Sequence, residues 1–187
     1  MKRRLLLTGP IGCGKSTLIA NALGSAVKHA GGFLTLRVVE RGRLAGFDLA
    51  PACGGPRERF LSFGEGGAVR DARPFTVTAP ALLKEAAKKK YALLDEIGGF
   101  ELLYPDFYEA LTRFFFSGTP CVGVLKAMPS AEELRRRVDL PAEYMEAAAE
   151  LHELLESDPD TLVLETTGRY DFNAEGALRH WAEEYAI

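Results

Sequence analysis

The chain has 187 residues, 47% hydrophobic and 26% charged, with 23 Lys plus Arg against 26 Asp plus Glu. That length suits a single domain over 1–187, and the apolar share can build a core and excludes a disordered chain. A net charge of −3 argues against a dedicated nucleic-acid binder, which carries a basic surplus. Cys13, Cys53 and Cys121 stand far apart with no C-x-x-C pair. Neither a zinc knuckle nor a disulfide scaffold is therefore expected, and a reducing cytoplasm fits best.

Lys2-Arg3-Arg4 before Leu5-Leu6-Leu7 imitates the opening of a signal peptide, but the apolar run stops at Thr8-Gly9-Pro10, short of the roughly 7–15 residues such a peptide needs. No later stretch reaches the roughly 18 apolar residues of a membrane span. Leu5 to Thr8 read instead as a short buried strand. From Lys15 the period changes: Leu18, Ile19, Ala22, Leu23, Ala26 and Val27 fall at helical spacing up to Gly31-Gly32. Phe33 to Glu40 and Leu44 to Leu49 read as two strands around an Arg41-Gly42-Arg43 turn. The Gly-, Arg- and Pro-rich stretch 51–74 reads as loops around one strand at Phe60 to Phe63.

Pro80 to Lys90 predicts a helix, feeding a strand at Tyr91 to Leu94 with Asp95 at its end. Pro105 suits the first turn of a helix running to about Phe116, and Cys121 to Leu125 read as a buried strand. Ser130 with Glu133 three residues on predicts a capping box and a helix through Val138. Pro141 opens another helix, with Tyr144, Ala148, Leu151 and Leu155 on one face. Leu162 to Leu164 read as a strand and Ala174 to Tyr185 as a terminal helix. Apolar strands alternating with helices predict a mostly parallel sheet covered on both faces, with an antiparallel hairpin: a three-layer α/β/α domain.

Gly9-Pro10-Ile11-Gly12-Cys13-Gly14-Lys15-Ser16-Thr17 matches G-x-x-x-x-G-K-[ST], following a strand and opening a helix as a phosphate loop must. Its glycines let backbone N–H groups converge on phosphate oxygens, and the helix terminus adds free N–H groups and a positive pole. Lys15 would bring a full charge to the β- and γ-phosphates, Ser16 a hydroxyl to Mg²⁺, and Thr17 a contact to the α-phosphate. Cys13 reads as a small residue at a variable loop position. Leu93-Leu94-Asp95-Glu96 is an apolar strand ending in two carboxylates. At such a strand end Asp95 would hold Mg²⁺ and Glu96 would orient the attacking water, an effect worth about 10²–10⁴ in rate.

Together with Gly32-Phe33-Leu34-Thr35 through Gly46-Phe47 and the block Asp95-Glu96-Ile97-Gly98-Gly99-Phe100-Glu101-Leu102, the phosphate loop resembles that of the THEP-type nucleoside-triphosphatases. The resemblance covers mainly residues 1–126. It implies a small P-loop NTPase with a RecA-like core that slowly hydrolyses ATP and other nucleoside triphosphates with Mg²⁺. The chain departs from the family pattern at Leu36, where an acid is usual, and at Thr166 to Asp171, where the family carries an Asn-Arg-Asp stretch that helps hold the base. The helices read between residues 127 and 157 look like an insertion or lid.

Other features read more plainly. Arg135-Arg136-Arg137 suit a solvated helix face, and Lys88-Lys89-Lys90 a helix carboxyl end. Arg37, Arg41 and Arg43 are candidates for substrate contact. Glu101 is either a partner behind the site or a helix-start acid. Phe114-Phe115-Phe116 and Trp181 with Tyr185 read as packing, and His29, His152 and His180 lack ligand spacing. The leading reading is a Mg²⁺-dependent nucleoside-triphosphatase whose partner is the nucleotide, with no nucleic acid or membrane. The alternatives are a small-molecule or nucleotide kinase on the same fold, and a nucleotide-gated binding module.

Overall fold

The computed structural model describes residues 2–168 and 170–187. Eight strands form one sheet: β1 (Arg4–Thr8), β2 (Gly31–Glu40), β3 (Arg43–Pro51), β4 (Glu58–Gly64), β5 (Gly67–Arg70), β6 (Ala92–Ile97), β7 (Cys121–Leu125) and β8 (Thr161–Glu165). Their order across the sheet is β5-β4-β3-β2-β6-β7-β1-β8. The five strands from β2 to β8 run parallel, and β3, β4 and β5 extend them antiparallel. Six helices accompany them: α1 (Lys15–Leu23), α2 (Ala79–Ala86), α3 (Pro105–Phe116), α4 (Met128–Arg137), α5 (Glu143–Ser157) and α6 (Phe172–Tyr185).

Strand alternation sorts the core into two layers. Leu5, Leu7, Leu93, Val122 and Val124 face α1 and α6, while Leu6, Leu94, Cys121 and Leu125 face the side covered by α2, α3 and α5. Side chains of a strand alternate faces, so a slip of one residue would exchange the two sets. On the second side Phe75 is the hub: its ring lies 4.8 Å from Phe60 and 5.5 Å from Phe107, edge to face. On the first, Trp181 is fully buried against Tyr91 and its indole N–H donates to the Arg3 carbonyl at 3.0 Å. An indole buried this way needs its donor satisfied, and Trp181 ties α6 to the start of β1.

Several expectations meet corrections. The helix read from Lys15 to Val27 is α-helical only to Leu23 and tightens into a 3₁₀ segment over Gly24–His29. The stretch 51–74 holds two strands, because Glu65-Gly66 turns β4 back onto β5. The capping box does not form: α4 starts three residues earlier, at Met128, with Ala127 in place of Ser130 as a cap that offers no side-chain acceptor. Ser130 is inside the first turn, where it no longer meets Glu133 as a cap would. The strand read from Tyr91 with Asp95 and Glu96 at its end runs from Ala92 to Ile97. In α3, Phe114 and Phe115 are buried and Phe116 points to solvent. The face predicted for α5 is the buried one: Tyr144, Ala148, Leu151 and Leu155.

Candidate active site

The sequence G-x-x-x-x-G-K-S occupies the turn from the carboxyl end of β1 into α1. Gly14 caps α1 in a left-handed conformation (φ 106°), which its missing Cβ permits. Lys15 is 7% exposed, and its ammonium donates to the carbonyls of Gly9 (3.0 Å) and Pro10 (2.7 Å). The loop is thus closed on its own lysine. Ser16 and Thr17 stand exposed at the helix start.

The segment after β8 seals the loop from behind. A Cβ on Gly9 would sit 2.4 Å from the Thr166 carbonyl oxygen, and one on Gly168 would sit 2.8 Å from that of Cys13. Both contacts are too close for any side chain, so the two glycines let the backbones touch. Asp171 organises the segment by accepting from Ala174 N–H at 3.0 Å, as the cap of α6, and from Thr167 N–H at 3.3 Å. Those backbone hydrogen bonds hold its carboxyl below the usual carboxylate range. Arg169, in the stretch where the family resemblance places base contacts, lies outside the described residues. Cys13 is half-buried, its thiol 3.9 Å from the Thr166 carbonyl oxygen.

The second half of the site comes from β6, separated from β1 by β7 alone. Asp95 and Ser16 line the same cleft from either side of that gap. Burial pushes the Asp95 carboxyl up to about 6; the Ser16 hydroxyl opposes this and the adjacent Glu96 charge reinforces it. The Glu96 N–H donates to Thr35 Oγ1 of β2 at 3.2 Å, and its carboxylate pairs with Lys126, the residue after β7. One cleft of about 340 Å³ is lined by Ile11, Gly12, Gly14, Lys15, Ser16 and Thr17 from the loop and by Asp95 and Glu96. Gly9, Pro10 and Cys13 stand outside that lining; they shape the loop from below.

Glu101, Tyr144 and His152 brace the segments after β6 and β7. Glu101 is 5% exposed and accepts from the N–H groups of Gly98 (2.9 Å) and Gly99 (2.7 Å). It is therefore the clamp of the turn after β6. Burial raises its carboxyl to about 7, against those two hydrogen bonds. Tyr144, from α5, donates to the Gly98 carbonyl at 2.8 Å, and burial raises its phenol far above the ordinary value. His152, two turns further along α5, meets the Lys126 carbonyl at 2.9 Å. The signal for Lys126 is topological: in a parallel sheet with β6 beside β7, the residues ending both strands meet.

The donor set suits a hard cation. Ser16 and Asp95 offer a hydroxyl and a carboxylate oxygen, a pair that leaves positions for phosphate oxygens and water, the usual way Mg²⁺ is bound. Among the described residues no group of three or more His, Cys, Asp or Glu is placed to hold a metal ion by itself. No helix among them is long and apolar enough to cross a membrane.

Known proteins are similar to this chain. The family model described as NTPase matches residues 4–145. A "Cancer-related nucleoside-triphosphatase homolog" of Bos taurus is 32% identical over 164 residues, covering 75% of this chain and 86% of that protein. "Nucleoside-triphosphatase THEP1" of Thermotoga petrophila is 28% identical over 151 residues, covering 72% and 79%. The chain belongs to the THEP-type nucleoside-triphosphatase family. Its fold agrees: the solution structure of a human cancer-related nucleoside triphosphatase superposes with a TM-score of 0.55 at 26% identity, covering 83% of this chain and 98% of that one. The α/β P-loop fold expected from the sequence is the fold of this family.

Proposed function

We propose that this family member hydrolyses nucleoside 5'-triphosphates, ATP among them, to the diphosphate and phosphate, in a Mg²⁺-dependent reaction in the cleft between its phosphate loop and Asp95-Glu96. The observation that carries this reading is the convergence of Lys15, Ser16, Asp95 and Glu96 on one cleft. Loop N–H groups and the α1 terminus would receive the β-phosphate. Lys15, already aimed across the loop, would exchange the Gly9 and Pro10 carbonyls for β- and γ-phosphate oxygens. Ser16 and Asp95 would hold Mg²⁺, which when bound neutralises charge on the phosphate oxygens. Glu96, fixed by Lys126 and Thr35, orients a water in line with the γ-phosphorus and takes up its proton as the bond to the leaving oxygen breaks. The free thiols of Cys13, Cys53 and Cys121 suit a reducing cytoplasm.

The test is phosphate release from ATP, GTP, CTP and UTP with Mg²⁺, beside Lys15→Ala and Glu96→Gln. Release from several nucleotides is expected. Glu96→Gln should keep nucleotide binding and lose about 10²–10⁴ of the rate. Release from Glu96→Gln at the unaltered rate would overturn the assignment.

A further inference from the structure

The cleft has more walls than the phosphate loop and the carboxylate strand supply. Its lining runs past the phosphate loop and the carboxylate strand to residues of β2, β3, β4 and α4. The phosphate loop follows β1, and the carboxylate strand β6 lies two places along the sheet. Lys15 reaches the β- and γ-phosphates and Thr17 the α-phosphate side. A triphosphate therefore runs with its γ-end toward β6 and its nucleoside toward β8. Beyond β6 the sheet continues through β2, β3 and β4, and there the cleft does not close. It opens into a chamber walled by Leu44 and Phe47 of β3, Phe63 of β4 and Leu134 of α4. A recess of about 90 Å³ continues it behind Glu96, shared through Thr35, Phe47, Lys126 and Leu134 and ending against Phe60 and Phe100.

Two cations stand on this wall. Arg37 of β2 and Arg137 of α4 line the chamber and are exposed, and neither forms an ion pair with a described residue. The Arg137 guanidinium lies over the Phe63 ring at 5.0 Å from its centroid, a geometry that holds a cation above an aromatic face. Glu133, one turn before Arg137, is the wall's own carboxylate, leaving two cations against one acid. Water needs neither an aromatic wall nor an anion anchor. Apolar walls with a few converging polar groups are the make-up of a small-molecule site.

We infer that this chamber is an acceptor subsite, and that the protein transfers the γ-phosphoryl group to a small single-ring alcohol bearing a carboxylate or phosphate. The inference rests on the hydrolytic reading of the same site, with the acceptor hydroxyl in place of water. The ring packs between Phe47, Phe63 and Leu134, and the anion meets Arg37 and Arg137. The hydroxyl oxygen attacks the γ-phosphorus in line, and its proton passes to a Glu96 oxygen. The bond between the γ-phosphorus and the β–γ bridging oxygen breaks, and the nucleoside diphosphate leaves with that electron pair. The products are a phosphomonoester and the diphosphate.

The experiment compares nucleoside diphosphate formed with inorganic phosphate released, in the full chain with ATP and Mg²⁺ and millimolar 4-(hydroxymethyl)benzoate. Benzyl alcohol, which lacks the anion, and glycerol 1-phosphate, which lacks the ring, serve as controls. The expected result is diphosphate in excess of phosphate with the first probe only, the difference appearing as its phosphomonoester by ³¹P NMR. Arg37→Ala and Arg137→Ala should each lower the ratio of phosphomonoester formed to phosphate released by roughly tenfold, the worth of one charged anchor. Equal diphosphate and phosphate with every probe, while hydrolysis persists, overturns the acceptor subsite and leaves the hydrolytic reading standing. Transfer without background hydrolysis overturns the hydrolytic reading and leaves the subsite. Equal transfer to benzyl alcohol overturns the role of the two arginines.

Discussion

Glu101 offers a sharp test of how the turn after β6 is held. It is buried at 5% exposure, takes the Gly98 and Gly99 N–H groups, and carries a carboxyl raised from 4.5 to about 7 by burial. An acid whose pKa is higher in the folded state makes that state bind more protons than the unfolded chain. Stability from this group is then fully present below pH 4.5 and is lost as the pH rises through about 7. The gap between 4.5 and about 7 corresponds to about 3 kcal/mol, which for a chain of this size is roughly 6–12 °C in Tm. Glu101→Gln keeps the shape and the acceptor oxygen but cannot ionise. Thermal unfolding by circular dichroism from pH 4.5 to 8 should show the parent losing ground to Glu101→Gln steadily as the pH rises. Asp95, raised to about 6, acts with the same sign in both proteins and cancels in the difference. Parallel profiles for the two proteins would refute the reasoning.

Two further perturbations probe the site. Lys126→Met removes the partner of the Glu96 carboxylate; a misplaced general base should cost roughly 10- to 100-fold in single-turnover phosphate release with nucleotide affinity little changed. An increased rate would mean that Lys126 restrains Glu96 and does not position it. Gly168→Ala forces a Cβ to within 2.8 Å of the Cys13 carbonyl oxygen at a backbone φ of +136°. It should weaken nucleotide binding, read by titration calorimetry, and cost about 1–3 kcal/mol of stability by denaturant unfolding; parent-like affinity would show that the seal behind the loop does not shape it.

Much of this arrangement was legible in the residues themselves. Lys15, Ser16, Asp95 and Glu96 could be named because phosphate and metal chemistry demands those types at strand ends, and the apolar runs at Leu5–Leu7 and Cys121–Leu125 announce the strands that present them. The buried face of α5 followed from its spacing, since Tyr144, Ala148, Leu151 and Leu155 recur at intervals of four, three and four. What escaped depends on contacts between segments remote in sequence. The seal of Thr166 and Gly168 against the loop joins positions about 150 residues apart, and a glycine in a loop does not announce what it touches. Lys126 is one cation after an apolar strand until β7 is known to lie beside β6. The β4–β5 hairpin was missed because Gly64 to Gly67 reads as loop, and only the pairing of Leu61 with Arg70 makes it a turn.

The segment between residues 127 and 157, expected to be an insertion or lid, divides into two physical roles. Helix α5 buries one face and reaches the site through Tyr144 to Gly98 and His152 to Lys126. It braces the ends of β6 and β7, where a displacement of the backbone would move Glu96. Helix α4 buries only Ser130 and Ala131 and turns Leu134 and Arg137 toward the chamber. The residues proposed for the chemistry thus stand at the ends of β1, β6 and β7, interior strands whose side chains are locked by packing on both faces. The chamber wall is carried by β3, β4 and α4, at the antiparallel flank. A substitution at Phe63 or Arg137 changes what the chamber can hold without passing through the core that aligns Lys15, Asp95 and Glu96. The proposed phosphate chemistry and the proposed choice of a second substrate would therefore draw on different residues of one cleft, and substitutions at Phe63 or Arg137 read the second without removing a residue of the first.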